Sequence, residues 1–169
     1  DIKQIGTYHL GFVIGPRIKV TGRLDSAIDA VKLLVSNSTV TCNKLASKLD
    51  YLNYERQKIT GQTLAEAKEM IDLDEKIIAV LGKDWHEGIV GLVAGKLNEE
   101  FSKPALVAAQ NNGEIRGSAR SITGFNITTA IEKCEKYLER YDGHEQAAGF
   151  TVKENSWEEF VSLLKEIAK

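Results

Sequence analysis

Apolar side chains change their spacing near Asp74, and that switch limits what this chain can fold into. Before it, Cys42, Leu45, Leu49 and Leu52 recur every three or four residues, and Ile59 and Leu64 prolong the series less regularly. That is the period of an amphipathic helix. A helix over about 40–71 would span roughly 45 Å at 1.5 Å per residue. A compact domain of this size does not need that reach, so the pattern predicts a bridge between two lobes. Gly61 is where the helix could bend or break into two. After Asp74, apolar residues come in short runs: KIIAVLG at 76–82, PALVAAQ at 104–110, EIRGSARS at 114–121 and AAGFTVK at 147–153. These read as four strands.

Helical periods separate the strands. Residues 87–100 carry Ile89, Val93 and Leu97 on one face and Gly88, Gly91, Ala94 and Gly95 on a nearby small-residue face. Asn126 is placed to cap a helix with Ile127, Ile131, Cys134 and Leu138 along one side. Ser156 and Glu159 stand in capping-box spacing before a last helix with Trp157, Phe160, Val161, Leu164 and Ile167 as its apolar face. The NNG at 111–113 signals a hairpin. The expected order is helices first, then β-α-β-β-α-β-α. The expected fold class is α/β: an N-terminal helical connector over 1–73, then a small mixed-sheet domain over 74–169.

The first segment carries less pattern. Residues 11–23, GFVIGPRIKVTGR, predict an apolar strand or extended entry and then a structured loop. Asp25 is expected to cap a helix whose apolar face is Ala27, Ile28, Val31, Leu34 and Val35, broken by SNST at 36–39.

Bulk composition narrows the function classes. Apolar residues make up 43% and charged residues 27%, as in ordinary soluble domains. No apolar run approaches the roughly 20 residues of a membrane span. The start, DIKQIGTYHL, has neither an initiating methionine nor a basic-then-apolar leader, and reads as a fragment. Cys42 and Cys134 match no metal spacing and read as reduced thiols of a cytoplasmic protein. Net charge is −2, so phosphate recognition, if present, must come from a local cluster.

Three such clusters stand out. Arg17, Lys19 and Arg23 sit before the expected Asp25 helix, as a phosphate grip or as a solvated loop. On a strand, Arg116, Ser118 and Arg120 share one face, while Ile115, Gly117, Ala119 and Ser121 take the other. That is an anion grip or a polar face open to water. Gly143 and His144 precede a strand among small residues, Ala147, Ala148 and Gly149. The histidine is either a satisfied structural side chain or a group with room for a ligand backbone beside it. Trp85 and His86 stand at a strand-to-helix turn, as a stacking aromatic with a donor or as an anchor with a cap. No nucleophile elbow, P-loop or dinucleotide fingerprint is present.

Five motifs, PRIKVTGRLDSA, LNYERQKI, WHEGIVGLVAGKL, RGSARSI and DGHEQAAGF, occur in an order that resembles RecJ-type single-stranded-DNA exonucleases of the DHH phosphoesterase superfamily. The resemblance covers about residues 11–152 and matches the carboxy-terminal half of that family's catalytic core, the DHH-associated lobe with its connecting helix. It implies a parent that cleaves 5′ to 3′ in DNA repair and recombination, using manganese or magnesium held by aspartates and an Asp-His-His motif. This sequence has no such motif. The chain alone is therefore expected to hold no metal and to be inactive, with single-stranded DNA and the missing metal lobe as partners. By resemblance, Arg17 or Arg23, with Ser118 and Arg120, would hold the 5′ phosphate, and Gly143 and His144 would face the scissile phosphate, His144 assisting. Two departures stand out: Asp142 replaces a usual glycine, and Lys19-Val20 replaces a usual Asn-Ala. Two alternatives are an oligonucleotide or cyclic-dinucleotide phosphodiesterase of the same superfamily and a non-catalytic replication-complex subunit.

Overall fold

The computed structural model describes residues 4–169, so the first three residues of the start read above lie outside the described residues. The chain divides into two compact units, residues 1–59 and 60–169.

The first unit is helical. A π-helical stretch, His9–Ile14, runs directly into α1, Gly15–Leu24, and α2, Ile28–Val35, follows. The expected strand and loop over 11–23 are thus helix. Pro16 lies in the first turn of α1, where its fixed φ suits a helix and its missing N–H removes no bond. Val20 and Thr21 give α1 a buried side. Asp25 ends α1 rather than capping α2: its backbone N–H donates to the Thr21 carbonyl. Its carboxylate accepts from Ser26 N (2.7 Å) and pairs with Lys48 Nζ (2.7 Å). Lys48 also reaches Asp29 Oδ2 at 2.6 Å. These bonds hold the Asp25 carboxyl below its ordinary range, Lys48 being the main cause. Of the apolar face expected on α2, Ile28, Val31, Leu34 and Val35 are exposed, and the buried residue of the helix is Ala30.

Helix α3, Thr39–Glu69, is continuous over 31 residues, and Gly61 does not interrupt it. Its residues up to Ile59 belong to the first unit and the rest to the second.

The second unit is built on β1, Ile78–Lys83; β2, Ala105–Asn111; β3, Glu114–Arg120; β4, Leu138–His144; and β5, Ala147–Val152. Their order is β1-β2-β3-β5-β4. The β1–β2 pair is parallel and the other pairs are antiparallel, so the sheet is mixed as expected. Helix α4, Glu87–Phe101, makes the crossover between β1 and β2 and packs over β2 and β3. Strand β2 has α4 on one side and the main core on the other, and its residues 105–109 are all fully buried. At the β2–β3 turn, Asn112 and Gly113 both take positive φ (50° and 85°), the conformation a two-residue hairpin requires.

The opposite face carries α5, Ile127–Glu132, and α6, Trp157–Ile167. The core between them includes Ile115, Ala119, Phe150, Val152, Ile127, Ile131, Phe160 and Leu164. Gly117 is required here: a Cβ would strike the Phe150 ring. Asn126 caps α5 as expected, its Oδ1 accepting from Thr129 N at 3.0 Å. The Ser156 capping box does not form, since the Ser156 hydroxyl turns to the Glu154 carbonyl at 3.4 Å.

The sequence predicts four strands in this unit, and there are five. The helix expected to reach Leu138 stops at Glu132, followed by a 3-10 turn, Glu135–Tyr137, and Leu138 opens β4. Leu138 does join the apolar core, but from the sheet. Among the described residues no helix is long and apolar enough to cross a membrane.

Candidate functional site

Strand register assembles the polar face. Across β3, β5 and β4, Arg116 lies opposite Thr151 and Thr151 opposite Arg140. One row on, Ser118, Gly149 and Asp142 align; after that, Arg120, Ala147 and His144. Neighbouring strands lie about 4.8 Å apart, and same-face residues along a strand recur at about 6.8 Å. Two arginines from β3, one from β4, a serine and a histidine therefore share one sheet face.

A bulge makes this possible. Leu138 pairs with Val152 and Arg140 with Thr151, which leaves Glu139 as an extra residue on β4. In a regular strand Arg140 would follow Leu138 into the apolar core. The extra residue turns Arg140, Asp142 and His144 outward and sends Tyr141 inward against the core.

The expected alternation on β3 holds: Ile115 and Ala119 are buried in the core, and Arg116, Ser118 and Arg120 occupy the α4 side. Arg120 Nη1 donates to Ser118 Oγ (3.0 Å) and to the Ala119 carbonyl (2.7 Å). A Cβ on Gly91 of α4 would stand 3.1 Å from Ser118 Oγ and 3.4 Å from Arg120 Nη2, so the small-residue side of α4 lets both groups lie beneath the helix. Arg116 is different. It pairs with Glu114 Oε2 at 2.7 Å and Glu87 Oε2 at 3.1 Å. Those carboxylates, Glu114 first, raise its affinity for its proton and cancel its charge toward any anion. Its Nε is buried without a hydrogen-bond partner among the described residues.

Gly143 and His144 are the end of β4, not a loop before a strand. A Cβ on Gly143 would collide with the Ala147 carbonyl and with Ala148, so this glycine is required by the hairpin itself. His144 is exposed, and its Nδ1 accepts from Gln146 N at 3.3 Å. An accepting Nδ1 places the proton of the neutral ring on Nε2, which becomes an outward donor. The Gln146 backbone N–H supplies that orienting bond. His86 repeats the arrangement at the N-cap of α4, with Nδ1 accepting from Gly88 N at 3.0 Å.

Trp85 takes the anchor alternative. It is 7% exposed, its ring lies where a Gly82 Cβ would be, and Nε1 donates to Glu66 Oε2 at 2.7 Å. No base can stack on it. In the first unit, Arg17 and Arg23 lie on α1 rather than in a loop. Arg17 is held by Asp50 Oδ1 (2.8 Å) and the Val13 carbonyl (2.8 Å). Arg23 occupies the last turn of α1, where a cation favours the helix dipole.

Arg140 belongs to the face although the sequence motifs do not single it out; its Nε donates to Thr151 Oγ1 at 3.1 Å. The alternation Arg140, Asp142, His144 was the available signal, hidden because Leu138 continues the helical spacing of Ile127, Ile131 and Cys134. No group of three or more His, Cys, Asp or Glu side chains among the described residues is placed to hold a metal ion.

Fold and face together define an α/β module with a cationic, half-covered sheet surface. The DHHA1 domain model matches residues 74–169, and the chain belongs to that family. Over 99% of its length it is 39% identical to the single-stranded-DNA-specific exonuclease RecJ of Bacillus subtilis (strain 168), of which it covers 22%. It is 30% identical to the RecJ of Escherichia coli (strain K12), covering 99% of this chain and 31% of that protein. The crystal structure of RecJ in complex with Mg2+ from Thermus thermophilus superposes with a TM-score of 0.89 at 31% identity, over 95% of this chain and 25% of that one. The chain thus spans less than a third of each of these relatives.

Proposed function

We propose that this chain is the strand-gripping part of a RecJ-like exonuclease that degrades single-stranded DNA from the 5′ end in DNA repair and recombination, in the cytoplasm. In this reading residues 1–73 connect and residues 74–169 bind. One observation carries it: Arg120 and Ser118 share a sheet row and its neighbour with the outward Nε2–H of His144, and no carboxylate pairs with Arg120 among the described residues. Cationic and neutral donors without a carboxylate partner on one face suit phosphate oxygens. Ser118 and Arg120 hold the 5′ phosphate, and His144, at the hairpin tip, donates to a neighbouring phosphate as charge develops on it. Arg116 contributes less than its position suggests, because Glu87 and Glu114 neutralise it. Arg17 and Arg23 remain candidate backbone contacts of the helical unit.

Hydrolysis would need Mg2+ or Mn2+, with which relatives have been solved. Since no ligand cluster occurs among the described residues, the chain by itself is expected to bind and not to cleave. The test is binding of a 5′-phosphorylated oligothymidylate across a salt series. Arg120→Ala is expected to lower affinity and to reduce the log–log salt slope by about 0.7, the value for one lost phosphate contact on a single strand. Unchanged slope and affinity would remove Arg120 from the site and this reading with it.

A further inference from the structure

Beside the Ser118–Arg120 end lies a cleft of about 360 Å³ whose chemistry differs from that of a phosphate grip. Its floor is β5 at Gly149, its walls are Glu87 and Val90 of α4 and Arg140 and Asp142 of β4, and Arg116 closes one end. We propose that this cleft is a nucleobase subsite, seating the base that adjoins the phosphate held by Ser118 and Arg120. The proposal rests on the phosphate reading above and adds what recognises the rest of the nucleotide.

Three features point to a base. The volume lies in the range of small-molecule sites, about 300–1,000 Å³, and exceeds what a single anion fills. The floor is bare: nothing stands within 4 Å of where a Gly149 side chain would begin, so a flat ring can lie on the strand against Val90. The charges lining the cleft balance, Glu87 and Asp142 against Arg116 and Arg140, and Glu114 adds a second carboxylate to Arg116. Such a site attracts a phosphate weakly. It offers carboxylate acceptors for exocyclic amines and guanidinium donors for ring nitrogens and carbonyls, the complement of a base edge. Ser118 lines the cleft and also bonds Arg120, so the two subsites adjoin.

The experiment is a two-dimensional amide NMR titration of this chain with 2′-deoxycytidine 5′-monophosphate, 2-deoxyribose 5-phosphate and 2′-deoxycytidine. The nucleotide is expected to shift Val90 and Gly149 as well as Ser118 and Arg120, and to bind at least about fivefold more tightly than the sugar phosphate, the lower end of what one stacked base contributes. Gly149→Val fills the cleft where the structure has room for a side chain, so the variant should fold. It is expected to abolish the fivefold advantage and leave sugar-phosphate binding unchanged. Equal binding of nucleotide and sugar phosphate, an advantage that survives in Gly149→Val, or no shift at Val90 and Gly149 with any ligand overturns the subsite. Deoxycytidine separates the two readings. If only the phosphate reading fails, it still shifts Gly149; if only the base subsite fails, the sugar phosphate still shifts Ser118 and Arg120.

Discussion

On one face of the sheet, Ile115, Ala119, Ala148, Phe150 and Val152 lie under α5 and α6, none more than 4% exposed. On the other, Arg116, Ser118 and Arg120 come from the same β3, and Gly149 and Thr151 from the same β5. Helix α4 covers only the β2–β3 part of that second face. Alternation lets two strands serve both purposes at once: every second side chain builds the core, and those between build the site. The contrast also locates sensitivity. A change on the closed face should alter folding, a change on the open face should alter binding, and a change of register should alter both.

Deleting Tyr141 attacks the register. With Leu138 still opposite Val152 and His144 opposite Ala147, the ladder closes without a bulge and Arg140 takes the core-facing place opposite Phe150, or β4 leaves the sheet. An unpaired buried charge costs several kcal/mol, so the expected result is loss of the β4–β5 amide pattern in NMR together with loss of DNA binding. A native-like spectrum would show that the bulge does not set the face. Phe160→Ala attacks the closed face alone. Phe160 is fully buried against Phe150, with ring centroids 5.4 Å apart. The substitution should cost about 3–5 kcal/mol in urea denaturation, with DNA affinity kept wherever the protein stays folded.

The smallest effect concerns Cys134, fully buried on the closed face with its Sγ 3.5 Å from the Ala130 carbonyl. Burial pushes its thiol up to about 11 from an ordinary 9.0. A raised pKa means the folded state keeps a proton that the unfolded state releases first. Its contribution is thus complete below pH 9.0 and is lost as pH climbs toward about 11. A thiol reagent at pH 8 should label half-buried Cys42 and spare Cys134. Equal labelling would mean that the closed face opens readily.

The elements with a clean period were legible from the chain alone. The 3–4 spacing of Cys42, Leu45, Leu49 and Leu52 predicted one long helix, and α3 is continuous. The short runs at 76–82, 104–110, 114–121 and 147–153 predicted β1, β2, β3 and β5, and Asn112-Gly113 predicted the turn between β2 and β3. The first helical segment was not legible, because the glycines of GFVIGPR weaken any helical signal and Pro16 reads as a breaker unless its place in the first turn is known. For the site, alternation on β3 was sufficient to group Arg116, Ser118 and Arg120.

What residue order determined here is local: which side chains repeat at helical or strand period, and hence which stretches become helix or strand. The tertiary structure alone decided which arginine gains a carboxylate from another element, since Glu87 reaches Arg116 from a helix 29 positions away. It also decided that Arg140 faces the cleft, because a one-residue bulge reverses the face of a strand without leaving any trace in composition. Pairing partners lie far apart along the chain, and only packing brings them together.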